Sequence, residues 1–387
     1  MKVIYTAPNR GHHYRYATAL NNAGILHKFV SGFSRWSPRA AIPDIGNKLI
    51  RADILQNIYL ASLKFKVPIK VSAHLAYLAK VQQDNICERH IEEADIFMFY
   101  NGSGLNTCKK AKTLPDTITV AEAVNSHVHY QEELLKDEYL SLGLPWQPFD
   151  AAEKRRRMEE FEIADRILLP SEFVKRSFIG LGFPADKLIK VPYGFNRMSK
   201  GVEDTSNDIK RSFTILYVGS ISVRKGLRYL IEAFRSFKHP NKKLVIVGPK
   251  AKASGLEDIS IPESVIFTGP LKGDDLENAY RSADVFCLPS IEEGLALVLG
   301  EALSFGIPII ATQNTGADDI ITDGEEGFIV PIRNGGAIAE KLQLLADDDG
   351  VFMQMKERAL ITASSLKGWD ETEHSLVEEL TKLYTAK

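Results

Sequence analysis

The sequence predicts an α/β chain made of two doubly wound parallel-sheet domains facing a central cleft. Three observations predict it. First, twelve short apolar runs alternate with helix-like stretches along the 387 residues. Second, many of these runs are continuous in Val, Ile, Leu and Phe rather than alternating, as in strands buried on both faces of a parallel sheet. Third, the polar, turn-rich stretch Tyr193–Arg211 divides the series in two. Each half then has the ~100–200 residues of one domain.

In chain order, the first half offers strands at Lys2–Thr6, Lys28–Ser31, Ile96–Tyr100, Thr117–Glu122, Arg166–Pro170 and Leu188–Pro192. The second half offers Thr214–Val218, Lys243–Val247, Val265–Thr268, Val285–Pro289, Pro308–Thr312 and Gly327–Val330. Helical stretches such as Gly226–Phe237 and Asp274–Ser282 lie between them, and strand–helix–strand repetition argues for Rossmann-like units. The expected division is 1–195, 196–365 and a closing helix, 366–387, that packs back toward the first domain. Ligands of such sheets sit beyond the carboxyl ends of the strands, so the site is expected between the two domains.

Composition sets outer bounds. With 44% apolar and 25% charged residues and a net charge of −2, the chain is an ordinary globular one without a nucleic-acid-binding field. Charge is uneven, however: residues 1–80 hold 12 Lys+Arg against Asp44 and Asp53 only. A basic leading face suits an anionic surface or acceptor, or simply solubility. Within it, residues 47–81 read either as an amphipathic, lipid-facing region or as two ordinary packing helices with basic outer faces. Cys87, Cys108 and Cys287 are unpatterned, which argues for a reducing compartment. MKVIYTAP runs into the polar NRGHHYRY, unlike a signal peptide, and no apolar run approaches the ~20 residues of a bilayer span. The expected location is cytoplasmic, with peripheral membrane contact allowed.

The stretch Val285–Gly306, VFCLPSIEEGLALVLGEALSFG, carries most of the functional signal. A buried strand should end at Pro289, and a helix should start near Leu295 and stop at Gly306. Backbone N–H groups of Gly294, Leu295 and Ala296 would then point out of the helix start, where the dipole favours an anion. Gly294 lets the backbone approach a ligand. Glu293 precedes this phosphate site and can accept bonds from sugar hydroxyls. Glu301, two turns into the helix, can chelate the hydroxyls of a ribose. In VGSISVRKG, Gly219 and Ser220 follow a strand, and Arg224 and Lys225 stand at the next turn, where they can neutralise a diphosphate. FTGPL places Gly269 and Leu271 after another strand, as a wall for a base, and the helix start at Ala317–Asp319 offers a second place for an anion or for sugar hydroxyls.

In ILYVGSISVRKGLRYLIEAF, KLVIVGP, VIFTGPL, the long run from LENAY to IIAT, TGADDIITDGEEGFIV and GWDE, the second half resembles the donor domain of the retaining GT-B glycosyltransferases of glycosyltransferase family 4. The order and spacing of these stretches follow the family, and the Glu293/Glu301 pair is its most specific mark. Two positions depart from it: Ser220 stands where the family has Arg, and Gly294-Leu295-Ala296 replaces Gly-Phe-Gly.

In the first half, the strand end Asn9-Arg10-Gly11-His12 makes Gly11 and His12 a candidate acceptor or phosphate loop. The resemblance further implies a His after the strand Thr117–Glu122 that faces the donor sugar; His127 fits best, with His129 in reserve. The resulting expectation is a retaining glycosyltransferase that moves a sugar from a nucleoside-diphosphate sugar to a hydroxyl acceptor, lipid-linked or soluble, in polysaccharide, lipopolysaccharide or glycolipid synthesis. His127, Glu293, Arg224 and Lys225 would carry the reaction. No cofactor or metal is expected, because no Asp-x-Asp site stands out and cationic side chains can assist the leaving diphosphate. A sugar-nucleotide epimerase on the same architecture and a non-catalytic nucleotide-sugar-binding protein are the alternatives. A dinucleotide enzyme is disfavoured, since Gly102-Ser103-Gly104 does not complete the fingerprint.

Overall fold

The computed structural model describes residues 1–42, 45–196, 212–251 and 253–386. The first sheet contains β1 (Val3–Ala7), β2 (Leu26–Ser31), β3 (Leu49–Arg51), β4 (Ile96–Tyr100), β5 (Ile118–Glu122), β6 (Arg166–Leu169) and β7 (Leu188–Lys190). Its helices are α1 (His13–Asn22), α2 (Ile54–Lys64), α3 (Ile69–Glu88), α4 (Leu105–Ala111), α5 (Val128–Ser141), α6 (Ala151–Ile163) and α7 (Glu172–Ile179). The second sheet contains β8 (Phe213–Val218), β9 (Lys242–Val247), β10 (Val265–Gly269), β11 (Val285–Leu288), β12 (Ile309–Thr312) and β13 (Gly327–Val330). It carries α8 (Leu227–Ser236), α9 (Asp274–Arg281), α10 (Leu297–Ser304), α11 (Gly335–Asp347) and α12 (Asp349–Ser365), and α13 (Trp369–Thr385) ends the chain.

The strand orders are β3-β2-β1-β4-β5-β6-β7 and β10-β9-β8-β11-β12-β13. Among the described residues, every strand pairing in both sheets is parallel. In both sheets the order of strand addition reverses at corresponding places, between β1 and β4 and between β8 and β11. These are the topological switch points where such sheets open a crevice, and the sheets present them to each other. The architecture is GT-B.

All twelve expected strands are present. The short β3 is additional; three half-buried residues give no readable period. The expected boundary at Tyr193–Arg211 lies largely outside the described residues, which omit 197–211. Arg156 is buried against Asp84 and donates to the Gly102 carbonyl at 2.8 Å. The second domain has one continuous apolar core, whereas the first has a separate cluster on each face of its sheet. Leu376 and Leu380 of α13 fill one of these with Tyr5 and Leu20. The last helix thus ties the end of the chain to the first domain.

Candidate active site

Gly226 and Gly294 let the two switch points close up. Gly226 has φ +61°, and a Cβ there would lie 2.1 Å from the Pro289 carbonyl oxygen. The turn after β8 is therefore pressed against the end of β11, which brings Arg224 and Lys225 to the loop Ser290–Gly294. Lys225 pairs with Glu293, and Arg224 Nη1 lies 3.1 Å from Glu292 Oε2 and 3.5 Å from Glu293 Oε2. Ser290 Oγ also donates to Glu293 at 3.0 Å. Burial opposes ionisation of Glu293, but Arg224 and Lys225 outweigh it and hold the carboxyl below its usual range.

At Gly294 a Cβ would lie 1.9 Å from the Val124 carbonyl oxygen of the first domain, so any larger residue would force the domains apart. Across the same seam, Ser171 Oγ donates to the Gly294 carbonyl at 2.6 Å. Glu292 accepts from Ser126 Oγ at 2.7 Å, Ser126 N–H at 3.1 Å and Gln131 Nε2 at 2.8 Å. Glu292 is thus a buried latch between the domains.

A cavity of about 270 Å³ lies over this seam, lined by Asn9, His12, His13, Tyr100 and Asn125 on one side and Glu293 to Leu295 on the other. Behind it, His12 Nε2 meets Glu122 Oε1, and the Tyr5 hydroxyl donates to Glu122 Oε2 at 3.0 Å. Glu122 is buried, which opposes its charge, yet His13 and His12 hold its carboxyl well below the usual range. His13 is itself shifted down, first by burial and then by His12. One ligand atom from each of His12, His13 and Glu122 lies within 4.8 Å of the others, so these three could hold a metal ion.

Several expected placements change. His127 does not face the cleft. Its ring lies among Phe161, Phe178 and Phe183, it is 3% exposed, and Nδ1 accepts the His129 N–H as the cap of α5. Burial lowers its pKa to about 4. The helix expected near Leu295 starts at Leu297, because the Ala296 N–H donates to the Thr315 carbonyl at 3.1 Å and so is unavailable to a phosphate. At the turn Ala317–Asp319 the Asp319 carboxylate is engaged by the first domain: it accepts from the Glu172 N–H at 2.7 Å and pairs with Lys190 at 2.8 Å. Glu301 does sit on α10, where burial raises its pKa and the Tyr280 hydroxyl donates to it at 2.8 Å. Gly219 donates to the Val247 carbonyl at 2.9 Å, and the Ser220 carbonyl accepts from Tyr217. Gly269 ends the edge strand β10 and Leu271 follows it, both outside the lining of the cavity at His12 and Glu293.

Residues 202–361 match the family model of glycosyl transferases group 1. That stretch of the second domain resembles this family. One curated relative is the sulfoquinovosyl transferase SQD2 of Arabidopsis thaliana, 32% identical over 197 residues, which cover 48% of this chain and 38% of that protein. The chain spans about half the length, or less, of such relatives: 38%, 47% and 43% for three of them. Among solved structures, sucrose-phosphate synthase from Thermosynechococcus elongatus superposes with a TM-score of 0.72 at 17% identity over 100% of both chains. Anabaena HepE in complex with UDP does so at 0.66 and 15%, over 99% of this chain and 100% of that one.

Beside the group 1 domain, the residues that sequence reasoning passed over are Glu122, His13, Tyr193, Glu292 and Tyr280. Glu122 had a signal: a carboxylate ending a continuous apolar strand is costly to bury unless paired. Tyr193, whose ring lies 4.5 Å from that of His12, had none, because only the tertiary fold returns it to α1.

Proposed function

We propose that this chain transfers a sugar from a nucleoside-diphosphate sugar to a hydroxyl acceptor, with retention at the anomeric carbon, in the synthesis of a polysaccharide, lipopolysaccharide or glycolipid. The observation that carries this reading is the meeting of Arg224, Lys225 and Glu293 at one switch point, directly opposite His12 at the other. Arg224 and Lys225 are placed to neutralise the diphosphate as its bond to the anomeric carbon breaks, in a site that needs no reorganisation to receive that charge. In the free site, Glu293 occupies these cations; on donor binding it turns to the sugar hydroxyls. His12, backed by Glu122, orients the acceptor hydroxyl. The acceptor oxygen bonds to the anomeric carbon from the face that the diphosphate leaves, and the hydroxyl proton goes with the diphosphate. Glu301 receives the ribose by exchanging its bond from Tyr280. The UDP complex of HepE, on the same fold, supports a nucleotide donor. The reaction is proposed to run without a metal.

A thermal-shift screen of nucleoside diphosphates and their sugars tests donor binding, since a binder of the folded state raises its stability by mass action. Glu301→Ala should weaken the nucleotide by about 1.5–3 kcal/mol, the scale of bonds to charged groups. Unchanged affinity in a folded variant removes that role. Turnover should survive EDTA; complete loss, restored by magnesium or manganese, would overturn the metal-free reading. Consumption of the donor only when an acceptor is added separates transfer from epimerisation and from mere binding.

A further inference from the structure

The hairpin of α2 and α3 is built inside out. In α2 the one buried residue is Ser62, whose Oγ donates to Ser72 Oγ of α3 at 2.9 Å. The large apolar residues face solvent instead: Phe65 is 76% exposed, Ile69 64% and Ile54 62%, with Leu63, Val71 and Ile58 about half exposed. A contiguous face of this kind on a globular chain marks an interaction surface. Its charge says what kind. From Ile54 to Gln83 there is no Asp or Glu, while Lys64, Lys66, Lys70 and Lys80 are present. Among the described residues, Lys64, Lys66 and Lys70 have no carboxylate within ion-pair distance.

A cavity of about 1020 Å³ connects this face with the site. At one end it is lined by Tyr59, Ile69 and Lys70 of the hairpin. At the other it reaches Asn9 and Tyr100, which also line the cleft over Glu293. Its apolar walls, with Lys70, Lys80, Lys154 and Arg157 outnumbering Asp150 and Glu153, suit an amphiphile bearing an anionic group.

We propose that the α2–α3 hairpin docks on an anionic lipid surface and that the acceptor is an amphiphile entering from that surface through this cavity. The proposal deepens the transferase reading by naming its acceptor class and rests on it only for the acceptor. Apolar residues at the tip enter the headgroup boundary, and the lysines add an attraction that salt screens within ~8 Å.

Sedimentation of the full chain with vesicles tests it. Binding is expected to phosphatidylglycerol vesicles and not to phosphatidylcholine vesicles, and it should fall steeply with added salt. Lys64, Lys66 and Lys70 changed together to Glu should lower it on the order of 10²-fold. Phe65→Ser with Ile69→Ser should also release the protein. UDP thermal shift, read on the same variants, should stay as in the parent chain. Failure of that control concerns the donor site, whereas failure of sedimentation concerns the hairpin alone. Equal recovery with both vesicle types at low salt overturns the proposal. So does self-association that Phe65→Ser dissolves without any vesicle binding, because the occupant would then be a second copy of this chain.

Discussion

The two switch points are alike in backbone and opposite in electrostatics. On the second domain, the carboxylates Glu292 and Glu293 are balanced by Lys225 and by Arg224, whose guanidinium they hold charged against its burial. On the first, Glu122 is balanced by the imidazoles of His12 and His13, and a third imidazole, His127, is buried without a charge partner. The difference teaches that one fold can hold a fixed charge pattern where an invariant diphosphate is expected. It can hold a titratable pattern where the acceptor is expected. Acid should therefore reach the first domain before the second.

The largest expected effect breaks the fixed side. Arg224→Ala leaves Glu292, fully buried, without its cation. Removing one partner of a buried pair costs about 3–5 kcal/mol; the Ser126 and Gln131 bonds to Glu292 keep the loss near the lower end. Thermal unfolding checks it, and a melting temperature equal to that of the parent would show that the latch does not depend on Arg224.

The next effect sharpens the titratable side. Burial pushes the His127 imidazole down to about 4, against about 6.5 for a free imidazole. The unfolded chain binds this proton more readily, so the contribution is fully present above about pH 6.5 and is lost as pH falls through 4. That difference corresponds to roughly 3 kcal/mol. His127→Asn, which can still cap α5, should flatten the fall in stability between pH 6.5 and 4. An identical pH profile in the variant would place the acid sensitivity elsewhere. Because His127 lies outside the cleft, the same variant should keep its affinity for UDP.

The smallest effect lies on the seam. Ser126→Ala removes the 2.7 Å bond to Glu292 and should cost about 1 kcal/mol. It should also loosen domain closure, so proteolysis near the seam should speed up while the far edges of both sheets stay protected. Protection unchanged at the seam would mean that Gln131 and Ser171 hold the closure without it.

The sequence by itself determined the parallel α/β architecture, because strands buried on both faces must be continuously apolar and so announce themselves. It also determined the loop–helix unit that carries Glu293, Gly294 and Glu301, and the turn with Arg224 and Lys225, because local backbone geometry demands these residue types at these spacings. Only the tertiary structure decided which histidine meets the cleft. His12 and His127 both follow parallel strands in polar surroundings; packing against Phe161, Phe178 and Phe183 turns His127 inward, and the partner Glu122, 110 residues from His12, holds His12 at the site. The same holds for the α2–α3 hairpin. Its composition allows a core-packing pair or a surface for lipid, and burial of Ser62 instead of its isoleucines and leucines becomes visible only once the two helices lie against each other. Periodicity reports which residues share a face, but which way that face points depends on contacts far away in the chain.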